Sequence, residues 1–185
     1  MVKLQVKDKY KGMSRQQLLD AAQKEGSNYT INSLSCAGGT VAALYDILDF
    51  DAALVRAISM FAGGTAEQFL GTCGALSGGL AVLGYYFGRP IEKMSDREYI
   101  QANIDALKTP YEIAGLLADR FIKEYGTFIC PQLHRNFYGR IFYLSDPDEV
   151  EKYKQLGGLK KSGELVGKGV RWVMEILLDR GALEL

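Results

Sequence analysis

An all-α fold is predicted for this chain by three observations. Apolar residues recur at helical spacing along most of its 185 residues, helix-capping residues recur beside them, and strand-like alternation is nearly absent. Apolar residues make up 48% and charged residues 24%, with only 4 prolines, which is the profile of a folded globular chain. The length suits one domain, residues 1–185, with no linker to divide it. The expected architecture is a single-domain helical bundle around a buried Gly-rich central helix.

Taken in order, Ser14 with Gln17 reads as a capping box opening a helix through Leu18, Leu19 and Ala22 that ends near Gly26. A polar loop is expected from Asn28 to Ser35, with Cys36 at its exit. Val41, Leu44, Tyr45 and Leu48 then recur at helical spacing, and Asp51 can cap a helix carrying Leu54, Val55, Ile58 and Phe61. Gly63-Gly64-Thr65 breaks it. Gln68 to Gly88 contains no charge but six glycines, and the glycines favour a buried helix over a membrane span.

Ser95 with Glu98 reads as a second capping box, starting a short helix toward Leu107. Thr109-Pro110-Tyr111-Glu112 has a cap, a proline at the first helical position and an acid at the positive end of the dipole, so it reads as a helix start. Its stripe is Ile113, Leu116, Leu117 and Phe121, ending at Gly126. Cys130-Pro131 opens a short turn or helix holding the only histidine, His134. Ile141 to Leu144 is the best strand-like run, too short to make a sheet. Asp146-Pro147 starts a brief helix, Gly157 to Gly163 is expected as a loop, and a last amphipathic helix as running from about Leu165 to Leu178. Tyr85-Tyr86, Tyr138 and Trp172 read as core and interface aromatics.

The 22 Lys+Arg balance the 22 Asp+Glu without a long block of either sign, so nothing favours nucleic acid or an anionic membrane as partner. The N-terminus has no apolar signal region and the cysteine count is odd, which points to a reducing, cytoplasmic setting without a disulfide framework. No CxxCH occurs, so c-type haem is excluded. A P-loop, a dinucleotide fingerprint, a GxSxG elbow and paired catalytic carboxylates are all missing.

Cys36, Cys73 and Cys130 are the candidate metal ligands, since soft thiolates suit iron–sulfur clusters, zinc and copper(I). Their separations of 37 and 57 residues match no local ferredoxin or zinc-ribbon spacing. Their surroundings are what suggest chemistry. Ser35-Cys36-Ala37-Gly38-Gly39, Gly71-Thr72-Cys73-Gly74 and Ile129-Cys130-Pro131 all sit at breaks beside small residues. Such neighbours let backbone N–H groups approach sulfur, and helix N-termini favour thiolate charge. Gly38, Gly39, Gly64, Gly71 and Gly74 are accordingly the candidate cofactor-binding glycines. His134 follows Cys130 by four residues, one helical turn, and can share its face as a further ligand. Glu67 and Thr65, beside Gly63-Gly64, can hydrogen-bond a bound group or simply cap a helix.

Cys73-Gly74-Ala75-Leu76-Ser77-Gly78 reads CGAxxG, and the run from Gly71 to Gly88 resembles the signature of the C_GCAxxG_C_C family of redox-active proteins. That family is similar to the cluster-bearing helical domain of split-Soret cytochromes. Cys36, Cys73 and Cys130 match its first three cysteines in order and approximate spacing. The resemblance, over about residues 28 to 178, implies a helical redox protein holding an iron–sulfur cluster and passing electrons to a partner, with no established enzymatic reaction. The family's fourth cysteine is missing, and Gly167-Lys168-Gly169-Val170 stands in its place. A fourth ligand would come from His134, a carboxylate, an exogenous small molecule, or a second subunit of a homodimer. Two other functions stay open: a thiol/disulfide oxidoreductase, and a metal-free structural or small-molecule-binding helical module.

Overall fold

Eight α-helices joined by short turns make up the described part of the chain, residues 4–94 and 100–185 of a computed structural model. They are α1 (Arg15–Ser33), α2 (Cys36–Ile47), α3 (Ala53–Ile58), α4 (Gly74–Phe87), α5 (Ile100–Tyr125), α6 (Cys130–Tyr138), α7 (Pro147–Gln155) and α8 (Gly158–Asp179). Among the described residues there is no strand, only isolated bridges such as Leu4 with Leu183 and Val6 with Leu48, which tie the N-terminus to the bundle. The all-α expectation is met. No helix among the described residues is long and apolar enough to cross a membrane.

Helix starts are set where local chemistry demands them. Ser14 Oγ accepts from Gln17 N at 3.3 Å while Gln17 Oε1 accepts from Ser14 N at 2.9 Å, completing the capping box. Asp51 Oδ1 accepts from Ala53 N at 2.8 Å, and Asp146 Oδ1 from Asp148 N at 2.9 Å, with Pro147 beginning α7.

Three boundaries differ from the sequence reading, and each has a physical cause. α1 does not end near Gly26 but runs on to Ser33, so most of the expected Asn28–Ser35 loop is helix. Gly26 is there for close approach: a Cβ on it would lie 3.0 Å from Gly167 Cα and 2.8 Å from Val170 Cγ2 of α8. For the same reason Gly157 to Gly163 is not a loop; α8 begins at Gly158, and α1 and α8 pack more extensively than any other pair. Pro110 is not a helix start either, since it lies inside α5. The carbonyl it leaves unpaired belongs to Ala106, which is exposed and can bind water. The Ser95–Glu98 box lies outside the described residues. Ile141–Leu144 forms no strand; Phe142 within it is instead a fully buried plug.

One hydrophobic cluster runs through α1, α2, α4, α5 and α8, including Leu18, Leu44, Leu76, Leu117, Phe121, Val173 and Met174. α4 is central but not enclosed on all sides, for Gly84 and Tyr85 reach solvent. Above this core, α6, α7 and the turn between α3 and α4 close over one end of the bundle, where α2 and α4 begin.

Candidate functional site

Each cysteine stands at the N-terminal end of a different helix. Ser35 caps α2, its Oγ accepting from Gly38 N at 3.1 Å, and so puts Cys36 on the first helical residue. Cys73 is the residue that precedes α4, and Cys130 is the first residue of α6, followed by Pro131. Two backbone bonds stitch the last two together: Cys73 N donates to Phe128 O at 2.8 Å and Cys130 N to Gly71 O at 3.0 Å, around the Thr72–Ile129 bridge. Gly74 brings α4 onto Cys36, since a Cβ on Gly74 would overlap Cys36 Sγ. Residues separated by 37 and 57 positions thus meet at one place.

All three cysteines and His134 line a single cavity of about 60 Å³, room for several waters. Its other walls include Gly63, Glu67, Phe69, Tyr138, Tyr153 and Ser162. The thiols are free, with Cys73 and Cys130 buried and Cys36 half-buried. Burial raises the Cys36 thiol, opposed by the amides of Gly63, Gly74, Ala37 and Cys36 itself. It raises Cys73 furthest, with the neighbouring Cys36 and Cys130 adding to the rise and the Ala75 and Leu76 amides opposing it. Cys130, with no such amides, is pushed up to about 12 by burial and by Cys36. Cys73 and Cys130 are thus each raised by neighbouring thiols of the cavity they share. Among the described residues, however, no three His, Cys, Asp or Glu side chains close on one point as a single metal ion would require.

His134 sits one turn after Cys130 in an aromatic box. Phe69 meets it edge-on at 4.8 Å, Tyr138 edge-on at 5.5 Å, and Tyr153 lies parallel at 6.2 Å. Its Nδ1 is buried without a hydrogen-bond partner among the described residues, and burial lowers the imidazole to about 4, so the ring is neutral at physiological pH. A buried nitrogen left unpaired beside three thiols is an electron-pair or proton site awaiting a partner.

The candidate glycines divide by what they touch. Gly74 abuts Cys36 Sγ, a Cβ on Gly64 would come within 2.8 Å of Cys130 Cβ, and Gly71 O receives the Cys130 amide. Gly38 and Gly39 pack instead on Ser35 and Thr30, away from the sulfurs. Gly169, in the stretch where the fourth cysteine would fall, faces Phe121 and Ala75 in the core. The α8 residues that reach the cavity are Leu159, Ser162, Leu165 and Val166, so a cysteine at 169 would not complete the site. Sequence reasoning passed over Gly63 and Tyr153; the Gly63-Gly64 doublet, directly after an apolar stripe, was the signal for the first.

The sequence profile of the family described as "Putative redox-active protein (C_GCAxxG_C_C)" matches residues 34–176, a span containing every residue named above at the site except Thr30. The chain belongs to the C_GCAxxG_C_C family. No curated protein and no solved structure matches it. This C_GCAxxG_C_C protein therefore carries the redox-active description of its family, and its three cysteines line one cavity.

Proposed function

We propose that this C_GCAxxG_C_C protein is an electron carrier whose redox group is an iron–sulfur cluster, or another thiolate-bound metal centre, in the cavity at the three helix starts. Cys36, Cys73 and Cys130 are the ligands, with His134 as the fourth donor. The reading rests on one observation: three cysteines from three helix N-termini, and an unpartnered buried imidazole, line the same cavity.

The donor set fits such a group. Thiolates are the soft ligands that clusters take, and backbone amides near Cys36 and Cys73 suit sulfurs carrying negative charge. The three cysteines line one cavity, while no three such side chains among the described residues close on a single point, which suits a centre of several atoms better than a lone ion. When bound, a cluster supplies a one-electron couple shielded from water. The chain's own part is to hold the thiols, exclude solvent with Phe69, Leu133 and Tyr153, and stabilise charge through the helix starts. A dithiol/disulfide cycle is less well served. Raised thiols leave little thiolate to attack a disulfide, whereas a metal deprotonates a coordinating thiol outright. The odd number of free thiols suits a reducing, cytoplasmic setting.

Anaerobic reconstitution of the full chain with ferrous iron and sulfide tests this. Broad visible charge-transfer absorption with bound iron is expected, lost in Cys73→Ser and made more labile in His134→Ala. A parent protein that stays colourless and iron-free, with a thiol titre falling by two on mild oxidation, would replace the cluster with a dithiol cycle.

A further inference from the structure

The segment between α3 and α4 has an unusual backbone. Gly63, Gly64, Thr65, Ala66 and Glu67 have φ of +60°, +69°, +75°, +49° and +56°, and Phe69 has +53°. Five consecutive residues form a left-handed turn, three of them with a Cβ. Each such L-residue disfavours the conformation about tenfold, and left-handed residues normally occur singly. A conformation of this cost persists only where its surroundings over-determine it.

The surroundings are the cysteine site. Gly63 and Cys36 line the same cavity, and the Gly63 amide is one of the backbone groups that lower the Cys36 thiol. Gly64 leaves no room for a Cβ against Cys130 Cβ, and its carbonyl accepts from Gly71 N at 3.0 Å, while Gly71 O accepts from Cys130 N. Phe69 is 2% exposed, with its ring edge on His134. Within the turn, Ala66 N donates to Met60 O at 2.8 Å and Phe69 N to Gly63 O at 3.0 Å. Gly63, Glu67 and Phe69 form one wall of the cavity; Glu67 N donates to Ala62 O at 3.1 Å, while its carboxylate has no hydrogen bond or ion pair among the described residues.

We propose that the Gly63–Phe69 turn is a positioning element of the thiol site, with Gly63 its positioning residue: it carries the Gly63 N–H onto Cys36 Sγ and walls that sulfur off from solvent. N–H groups directed at sulfur strengthen as the sulfur gains negative charge, so the turn also raises the potential of a centre held there. The walling-off stands by itself, while the effect on potential rests on the redox reading above.

Peptide-resolved labelling of the metal-free full-length protein with N-ethylmaleimide tests the wall. Gly63→Ala adds a Cβ at φ +60°, 2.8 Å from Glu67 Cα, and should speed Cys36 labelling about tenfold, well beyond any change at Cys73. Ala66→Gly relieves a strained residue without endangering the fold, and should slow Cys36 labelling about threefold. Opposite shifts at Cys36 support the proposal. Unchanged Cys36 rates in Ala66→Gly, or equal acceleration of all three thiols in Gly63→Ala, overturn it. After reconstitution with ferrous iron and sulfide, Gly63→Ala should have a lower midpoint potential than the parent, and an equal potential would remove the tuning role. A parent protein that takes up no iron defeats the redox reading and leaves the labelling result to decide the positioning role.

Discussion

Replacing Gly74 by alanine is expected to destabilise the protein by about 2 kcal/mol, because α2 and α4 meet at this residue with no space for a methyl group. The added Cβ would overlap Cys36 Sγ and lie 2.8 Å from Ala37 N and 3.1 Å from Ala37 Cβ, against the roughly 3.5–4 Å of an unstrained contact. Cys36 Sγ can turn about its one side-chain torsion, but Ala37 N and Cβ are fixed to the first turn of α2. The two helix starts must therefore separate, and overpacking of this kind costs about 1–3 kcal/mol. Gly74 is the first residue of α4, so little helix propensity is recovered in return. For a chain of this length, about 2 kcal/mol lowers Tm by roughly 4–8 °C. Urea unfolding followed by far-UV circular dichroism and calorimetry read the change. Gly169→Ala is the control. Its Cβ would make ordinary contacts, 3.4 Å to Phe121 Cζ and 3.7 Å to Ala75 Cβ, in the middle of α8, and should gain about 0.5–1 kcal/mol. A Gly74→Ala protein as stable as its parent would refute the reasoning, as would equal effects of the two substitutions.

Three further outcomes are expected. Burial holds the His134 imidazole near 4 in the folded, metal-free protein, against about 6.5 when unfolded, so the unfolded state binds the proton first. Stability should be full above about pH 6.5 and fall by up to about 3 kcal/mol as pH drops to about 4; urea midpoints of His134→Phe should lack that part of the slope. Tyr153→Phe removes a buried hydroxyl that donates to Gly158 O at 2.8 Å and pairs with Ser162 Oγ, and should lower the unfolding free energy by about 1–2 kcal/mol in the same titration. Asp146→Ala leaves the Asp148 amide uncapped at the start of α7, and calorimetry should register a loss of about 1 kcal/mol.

Where a helix begins was legible whenever the signal was local. The Ser14–Gln17 box and Asp146-Pro147 each satisfy their own backbone N–H groups from within a few residues, so no distant contact can overrule them. The cysteines were legible as candidates for the same reason, each lying at a break beside small residues. Glycine and proline misled where the tertiary structure gave them a different use. Gly26 read as a helix end and Gly163 as part of a loop, but they are contact points where α1 and α8 approach too closely for a side chain. Pro110 read as a start, yet the exposed Ala106 carbonyl makes an interior proline tolerable. Separations of 37 and 57 residues contain no information about distance, and only the packing of α2, α4 and α6 brings the sulfurs to one cavity. The same packing turns Gly169 toward Phe121 and leaves Ser162 and Val166 facing the thiols. Caps and periodicity act over one or two turns, where the chain's own geometry decides. Which face of a helix meets which neighbour depends on how whole helices cross, and this chain's crossings depend on glycines whose role appears only once the partner helix is in place.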